Sequence, residues 1–126
     1  MSFSGIVKKE ITKRVEDLTR SFYESALPPV DIYEEGGYLI VVADLAGFNK
    51  ANIHARITPQ NELVIEADRE ISETGTKYLT QRPKSIRRVI SLPVAVKKDG
   101  EITGKYENGV LTLRFPVEGS ATVKIE

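Results

Sequence analysis

The hydrophobic pattern of this chain changes once, at the adjacent residues Pro28 and Pro29. From Ile6 to Tyr23, apolar side chains recur every three or four residues, which is the spacing of an amphipathic helix. This apolar stripe consists of Ile11, Val15, Leu18 and Phe22. Because proline lacks an amide donor and pushes the residue before it toward extended geometry, we expect the helix to end by about Ala26.

After the prolines, short apolar alternation between turn signals predicts an all-β sandwich or barrel. The candidate strands are Val30 to Glu34, "YLIVVADL", "IHARIT", "ELVIEAD", "SIRRVISLP" and the two halves of "EITGKYENGVLTLRFP". The dipeptide Asn108-Gly109 suits a tight hairpin between those last two strands. About seven short strands favour an immunoglobulin-like β-sandwich, preceded by the amphipathic helix and followed by a flexible tail.

One segment inside the predicted sandwich is long and polar, "REISETGTKYLTQRPK". Loops of this length within a small domain usually have a function of their own. Tyr78 and Leu79 are the apolar side chains near its middle, and they can form a short strand there. We therefore predict a projecting loop.

Composition restricts the classes of function. The chain has 126 residues, of which 40% are hydrophobic, enough for one core of ordinary size. Lys+Arg and Asp+Glu are each 18, so no basic field favours nucleic acid. Cysteine is absent, which excludes disulfides and thiolate chemistry. No apolar run approaches the roughly 20 residues of a membrane span, and the charged opening does not resemble a secretory signal, so we expect a cytoplasmic protein.

The residues that could carry catalysis or bind a metal do not form a convincing site. His54 is the single histidine, and a lone strand histidine is usually a surface residue. Asp44, Glu66 and Asp68 alternate with apolar residues, as on the solvated face of a strand. No nucleophile elbow, phosphate-binding loop or dinucleotide fingerprint occurs. We therefore expect no enzyme activity, no metal and no cofactor.

Four motifs, in order along the chain, resemble the α-crystallin domain of small heat shock proteins. They are "DLAGF", "IRRVISLP", "GKYENGVLTLRFP" and the closing "VKI", which resembles the Ile-X-Ile tail anchor of that family. Three positions depart from the family pattern, with Ala46 in place of proline, Gly104 in place of alanine and Val123 in place of isoleucine. The resemblance covers about Val30 to Ile125 and implies a small heat shock protein of the archaeal or bacterial type.

The resemblance also implies a division of the chain. Residues 1–28 are expected to form a helical arm, residues 29–117 the α-crystallin domain, and residues 118–126 a C-terminal extension with its apolar-X-apolar anchor. In an extended tail, Val123 and Ile125 point to one face and Lys124 to the other, so the apolar pair is expected to dock. The edge strands "IHARIT" and "EITGKYE" should leave a cleft for it on a neighbouring subunit. The expected lining of that cleft is Ile53, Ile57, Ile102 and Tyr106.

A dimer formed by strand exchange is the second implication of the resemblance. The segment around Tyr78 and Leu79 is expected to pair with the strand containing Ile32 in a second subunit. Arg88 shares the parity of Ile86 and Ile90, so on a buried face its guanidinium must find a carboxylate or carbonyl oxygens. The matching arginine of the family supports subunit contacts.

Two hypotheses for function remain at this stage. The first is an ATP-independent holdase chaperone that assembles into large homo-oligomers and binds unfolded client proteins. The second is a monomeric or dimeric β-sandwich binding module or co-chaperone that recruits one defined partner. The helix stripe favours the first hypothesis because it suits contact with subunits or clients. Packing of the stripe on its own sandwich is the alternative.

Overall fold

The computed structural model describes residues 3–119 and 125–126 as one helix followed by seven strands. The helix, α1, spans Phe3–Ala26. The strands are β1 (Val30–Glu35), β2 (Tyr38–Asp44), β3 (Ile53–Ile57), β4 (Glu62–Asp68), β5 (Ser85–Ser91), β6 (Thr103–Glu107) and β7 (Val110–Pro116). The predicted fold class is confirmed. The helix starts earlier than its apolar stripe, since a stripe does not mark the first turn, and it ends at the predicted residue.

The strands form two antiparallel sheets. One has four strands in the order β1-β2-β7-β6, and the other has three in the order β3-β4-β5. Each sheet therefore has two edges, and the predicted edge strands "IHARIT" and "EITGKYE" correspond to β3 and β6. The remaining edges are β1 and β5.

The core lies between the sheets and follows the alternation of the strands. In β2, Leu39, Val41 and Ala43 are buried while the residues between them are partly exposed. They meet Leu63 and Ile65 from β4 in one apolar cluster. Burial of an aliphatic side chain of this size contributes about 1.5–3 kcal/mol, so this cluster is the main source of stability for the domain.

The hairpin between β6 and β7 has the predicted tight turn. Asn108 has φ 53° and Gly109 has φ 77°, so both central residues are in the left-handed region that a type I′ turn requires. The carbonyl of Gly109 accepts a hydrogen bond from the amide of Leu45 at 2.7 Å. A β-carbon on Gly109 would lie 2.8 Å from that of Ala46, so glycine is needed for space as well as for conformation.

The long polar segment between β4 and β5 forms no strand within the subunit. We name residues 71–83 the exchange loop. The projecting loop is thus confirmed, whereas the short strand at Tyr78 and Leu79 is absent because no edge of the same subunit pairs with these residues. Pairing with a second copy stays a prediction.

Candidate functional site

A cleft opens between the edge strands β3 and β6. Its volume is about 370 Å³. The lining residues are Ala55, Arg56, Ile57, Lys98, Ile102, Thr103, Gly104, Leu113 and Phe115. The cleft therefore has an apolar floor with two cationic side chains beside it, and it lies where two sheets end without a covering strand. Such a surface suits an extended apolar peptide.

Two of the four side chains predicted for this cleft lie in it. Ile57 and Ile102 contribute to the lining, and Ile102 is 42% exposed. Ile53 is partly buried against the core. Tyr106 also packs against the core, and its hydroxyl lies 2.7 Å from the carbonyl oxygen of Leu45 and 2.8 Å from that of Phe48. These last two side chains are not part of the cavity lining in the subunit.

The predicted tail anchor is described only at its second position. Val123 lies outside the described residues. Ile125 is 92% exposed, so nothing in the described part of the subunit covers it. An aliphatic side chain in water gains no burial free energy, which leaves Ile125 available for another surface.

The apolar stripe of α1 faces solvent. Its exposed fractions are 57% for Ile11, 54% for Val15, 71% for Leu18 and 63% for Phe22. The alternative that the stripe packs on its own sandwich is therefore wrong. Two polar side chains of the helix, Glu16 and Arg20, make hydrogen bonds to the body of the subunit instead.

Those polar contacts join the helix to the exchange loop. Arg20 Nη2 donates a hydrogen bond to the carbonyl of Thr80 at 3.0 Å, and the Thr80 hydroxyl donates to Glu16 Oε2 at 3.4 Å. The Nε of Arg20 is buried and has no hydrogen-bond partner among the described side chains and backbone groups. An unpaired buried donor costs roughly 1–3 kcal/mol. The hydrogen bonds between the helix and Thr80 therefore contribute little net free energy to holding the helix in place.

The exchange loop presents its apolar side chains to solvent. Tyr78 is 90% exposed and Leu79 is 62% exposed. The predicted partner residue Ile32 lies on β1, an edge strand, and its side chain packs partly against the core. Edge strands have unpaired backbone groups on one side, so β1 can accept a further strand.

Two lysines, one in the exchange loop and one directly after it, contact a single carboxylate of the loop. Lys77 and Lys84 both contact the carboxylate of Glu73, the latter at 2.6 Å. Hydrogen bonds from Lys77 and Lys84 lower the pKa of Glu73 to about 2.

Arg88 lies on the inner face of β5, as its parity predicted. Its Nη1 donates a hydrogen bond to the carbonyl of Pro28 at 2.6 Å, so this partly buried guanidinium is paired with a carbonyl oxygen. Its neighbour Arg87 faces solvent and pairs with Glu66 at 3.2 Å. A role of Arg88 at a subunit interface stays a prediction.

Another arginine, Arg69, was not predicted from the sequence. Its guanidinium lies over the ring of Phe48, with 4.4 Å from the central carbon to the ring centroid, and its Nε donates to the carbonyl of Pro83 at 2.9 Å. Gly47 and Arg82 lie beside it. The residues come from separate loops, and the one available signal was the glycine of "DLAGF".

The residues considered for catalysis do not form a site in the described part of the chain. Among residues 3–119 and 125–126, no three potential ligands converge to hold a metal ion. His54 is exposed on β3, Glu66 pairs with Arg87, and Asp68 accepts a hydrogen bond from Ser85 at 2.6 Å. No described helix is long and apolar enough to cross a membrane.

Similarity to known proteins shows the family to which this chain belongs. The model of the Hsp20/alpha crystallin family matches residues 31–125. The chain belongs to this family. Its small heat shock protein relatives support a chaperone role. The family consists generally of chaperones without enzyme activity, and its members typically assemble into oligomers and bind client proteins.

Solved structures of this family are similar over most of the chain. A mutant of hsp14.1 from Sulfolobus solfatataricus P2 is 58% identical, with a TM-score of 0.79, and the match covers 99% of this chain and 98% of that one. A small heat-shock protein from Xylella fastidiosa, described as having a distinct high order structure, is 28% identical with a TM-score of 0.62 over 79% and 94% of the two chains.

A curated relative gives the same assignment. The "Probable 15 kDa heat shock protein" of Leptospira interrogans is 29% identical over 102 residues, which cover 79% of this chain and 76% of the relative. The recognition of a small heat shock protein from its sequence motifs is thus confirmed.

Proposed function

We propose that the protein is an ATP-independent holdase chaperone that assembles into large homo-oligomers and binds unfolded client proteins in the cytoplasm. The observation that carries this proposal is the exposed apolar stripe of α1. Three aliphatic side chains, Ile11, Val15 and Leu18, are each more than half exposed. Exposed apolar surface of this kind marks a site of contact with other proteins.

Assembly is the first use of the apolar surfaces. We propose that Val123 and Ile125 of one subunit dock in the cleft between β3 and β6 of another. The apolar floor of that cleft and the exposure of Ile125 support this arrangement. We further propose that the exchange loop pairs with the outer edge of β1 in a second copy. The proposed units are then an arm (1–28), a domain (29–117) and an extension (118–126).

Capture of clients is the second use. A holdase needs apolar surface that it can expose reversibly, and it needs no nucleotide or catalytic group. Weak contacts that act together in an assembly open one at a time, because neighbouring tails keep the effective concentration high. Heating therefore releases smaller species with their apolar stripes available to unfolding proteins.

Light scattering tests the holdase activity. The protein should suppress the heat-induced aggregation of an unrelated enzyme with no ATP added. A variant with Val15→Ser, Leu18→Ser and Phe22→Ser should protect less well, because these changes remove apolar surface without touching the sandwich core. A matched variant with Lys13→Ser and Asp17→Ser changes other exposed positions of the helix and should protect like the parent. Full protection by the triple variant would place the client site elsewhere.

The alternative function is a binding module or co-chaperone for one defined partner. It predicts a protein that does not form large assemblies and that protects no unrelated enzyme. The solution mass distinguishes the two functions, since a monomer would exclude the assembling chaperone. The exposed Ile125 and the exposed stripe favour the chaperone, because a monomeric adaptor would leave both in water.

A further inference from the structure

Two arginine side chains meet beside Gly47 at the base of the exchange loop. A β-carbon built on Gly47 would lie 2.7 Å from Arg69 Nη1 and 3.9 Å from Arg82 Nη2. Gly47 also has φ 91°, a conformation that favours glycine. The absence of a side chain at residue 47 thus leaves the space into which both guanidinium groups project.

One of the two arginines is held in place. Arg69 stacks on Phe48, and its Nε donates a hydrogen bond to the carbonyl of Pro83. Its terminal nitrogens make no salt bridge with any carboxylate of the described residues, and Arg82 makes none either. Burial and the nearby charge of Arg82 both lower the pKa of Arg69. Two adjacent cations without a counter-ion are a site for an anionic group, and guanidinium groups suit carboxylates.

The edge strand β1 carries the complementary charge. Three of its six residues are acidic, namely Asp31, Glu34 and Glu35, and all three are exposed. None of them makes a salt bridge within the described residues. The acids lie near both ends of the strand, so a loop that pairs along β1 in either direction brings its basic end close to a carboxylate.

We propose that the arginine pair Arg69 and Arg82 binds a carboxylate of β1 from a second copy of this chain. This inference rests on the proposed exchange-loop dimer and adds its electrostatic recognition. Arg69 is held in place by its contacts with Phe48 and Pro83. Arg82 lies on the exchange loop and moves with it. In a symmetric dimer the contact occurs twice.

Charge reversal at the exposed arginine tests the site. In a background of Val123→Ser with Ile125→Ser, which is expected to be a dimer, sedimentation velocity should show that Arg82→Glu increases the dimer dissociation constant by about tenfold or more, because attraction becomes repulsion at two places. The matched control Lys105→Glu changes the net charge equally at an exposed position on β6, away from the loop, and should dimerise like the parent. Mixing Arg82→Glu with Glu34→Lys/Glu35→Lys should restore association through the exchanged charges.

A peptide-binding measurement tests the arginine site even when the parent protein is a monomer. A synthetic peptide of residues 29–36 should bind the full chain, as followed by fluorescence anisotropy. The same peptide with Asp31→Asn, Glu34→Gln and Glu35→Gln should bind at least several-fold more weakly. Binding of the acidic peptide should also weaken as salt is raised, and this salt dependence should be smaller for Arg82→Gln.

The outcomes separate this inference from the proposed function. Equal binding of the two peptides, or a dimer unaffected by Arg82→Glu, overturns the arginine site even when the parent protects a client. Arg82-dependent association in a protein that protects no client overturns the chaperone function and supports the arginine site.

Discussion

The guanidinium of Arg88 donates a hydrogen bond of 2.6 Å to the carbonyl of Pro28, which links the segment just before β1 to strand β5 of the other sheet. Arg88→Ala removes the donor and leaves this carbonyl without it. We expect the free energy of unfolding to fall by about 1.5–3 kcal/mol, the usual range for a hydrogen bond to a charged group. Urea denaturation measures the change.

The matched control for Arg88 is its neighbour. Arg87→Ala removes an exposed ion pair with Glu66 and should cost less than about 1 kcal/mol. Equal effects of the two substitutions would show that the Pro28 contact has no special importance for stability.

The second prediction concerns the tail. Val123→Ser with Ile125→Ser should leave a folded dimer and abolish the larger assembly. Burial of each aliphatic side chain contributes about 1.5–3 kcal/mol, whereas ordering the tail costs about 1–2 kcal/mol per residue, so a tail without its anchor cannot stay docked. Light scattering after size-exclusion chromatography gives the mass, and circular dichroism confirms the fold.

Lys124→Ser is the control for the tail, because this side chain is expected to point away from the cleft. It should assemble like the parent. A double variant that kept the mass of the parent at micromolar concentration would mean that the tail does not link the subunits, and the helix would then have to do so.

The third prediction concerns the exchange loop. Deletion of residues 75–80 should give folded monomers, because it removes the segment expected to pair with the open edge of β1. The core cluster should remain intact, since Tyr78 and Leu79 are exposed in the subunit and contribute nothing to it. Sedimentation velocity measures the mass, and near-native thermal unfolding shows that the sandwich persists. A shortened protein that still sediments as a dimer would contradict strand exchange.

The fourth prediction is a titration. The pKa of Glu73 is lowered to about 2 from its ordinary value of 4.5 by hydrogen bonds from Lys77 and Lys84. Because the folded pKa lies below the unfolded one, the stabilising contribution is complete above pH 4.5 and is lost as the pH falls toward 2. Carboxyl NMR should show this depressed midpoint.

Neutralising both partners of this carboxylate provides the check. Lys77→Gln with Lys84→Gln should return the midpoint of Glu73 toward its ordinary value. High salt should move it in the same direction, because the group is exposed and its ion pairs are screened. A midpoint that did not respond to either change would assign the shift to another cause.

Much of the fold could be predicted from local pattern. The alternation in β2 and β4 located the core, and Asn108-Gly109 located the hairpin, because in each case side-chain period or backbone conformation is set within a few residues. The cleft could be predicted in part, since it depends on which strands form the edges of the sheets. Ile57 and Ile102 line it as predicted.

What could not be predicted depends on contacts between distant segments. The hydroxyl of Tyr106 lies within hydrogen-bond distance of the carbonyl oxygens of Leu45 and Phe48, which are about sixty residues away in the sequence. The pairing of Arg69 with Phe48 likewise requires two loops to meet at the end of the sandwich. No periodic pattern in the sequence predicts such long-range contacts. These contacts follow only from the packing of the two sheets.

The hydrogen bond between Arg20 and Thr80 has a thermodynamic consequence for the whole chain. The helix is tethered to the same loop that is expected to leave the subunit, so departure of the loop separates Thr80 from Arg20 and Glu16. By linkage, the two processes influence each other equally: whatever favours departure of the loop favours release of the helix, and the reverse holds to the same degree. We therefore expect that a subunit with an engaged loop is also one whose apolar stripe is free to move.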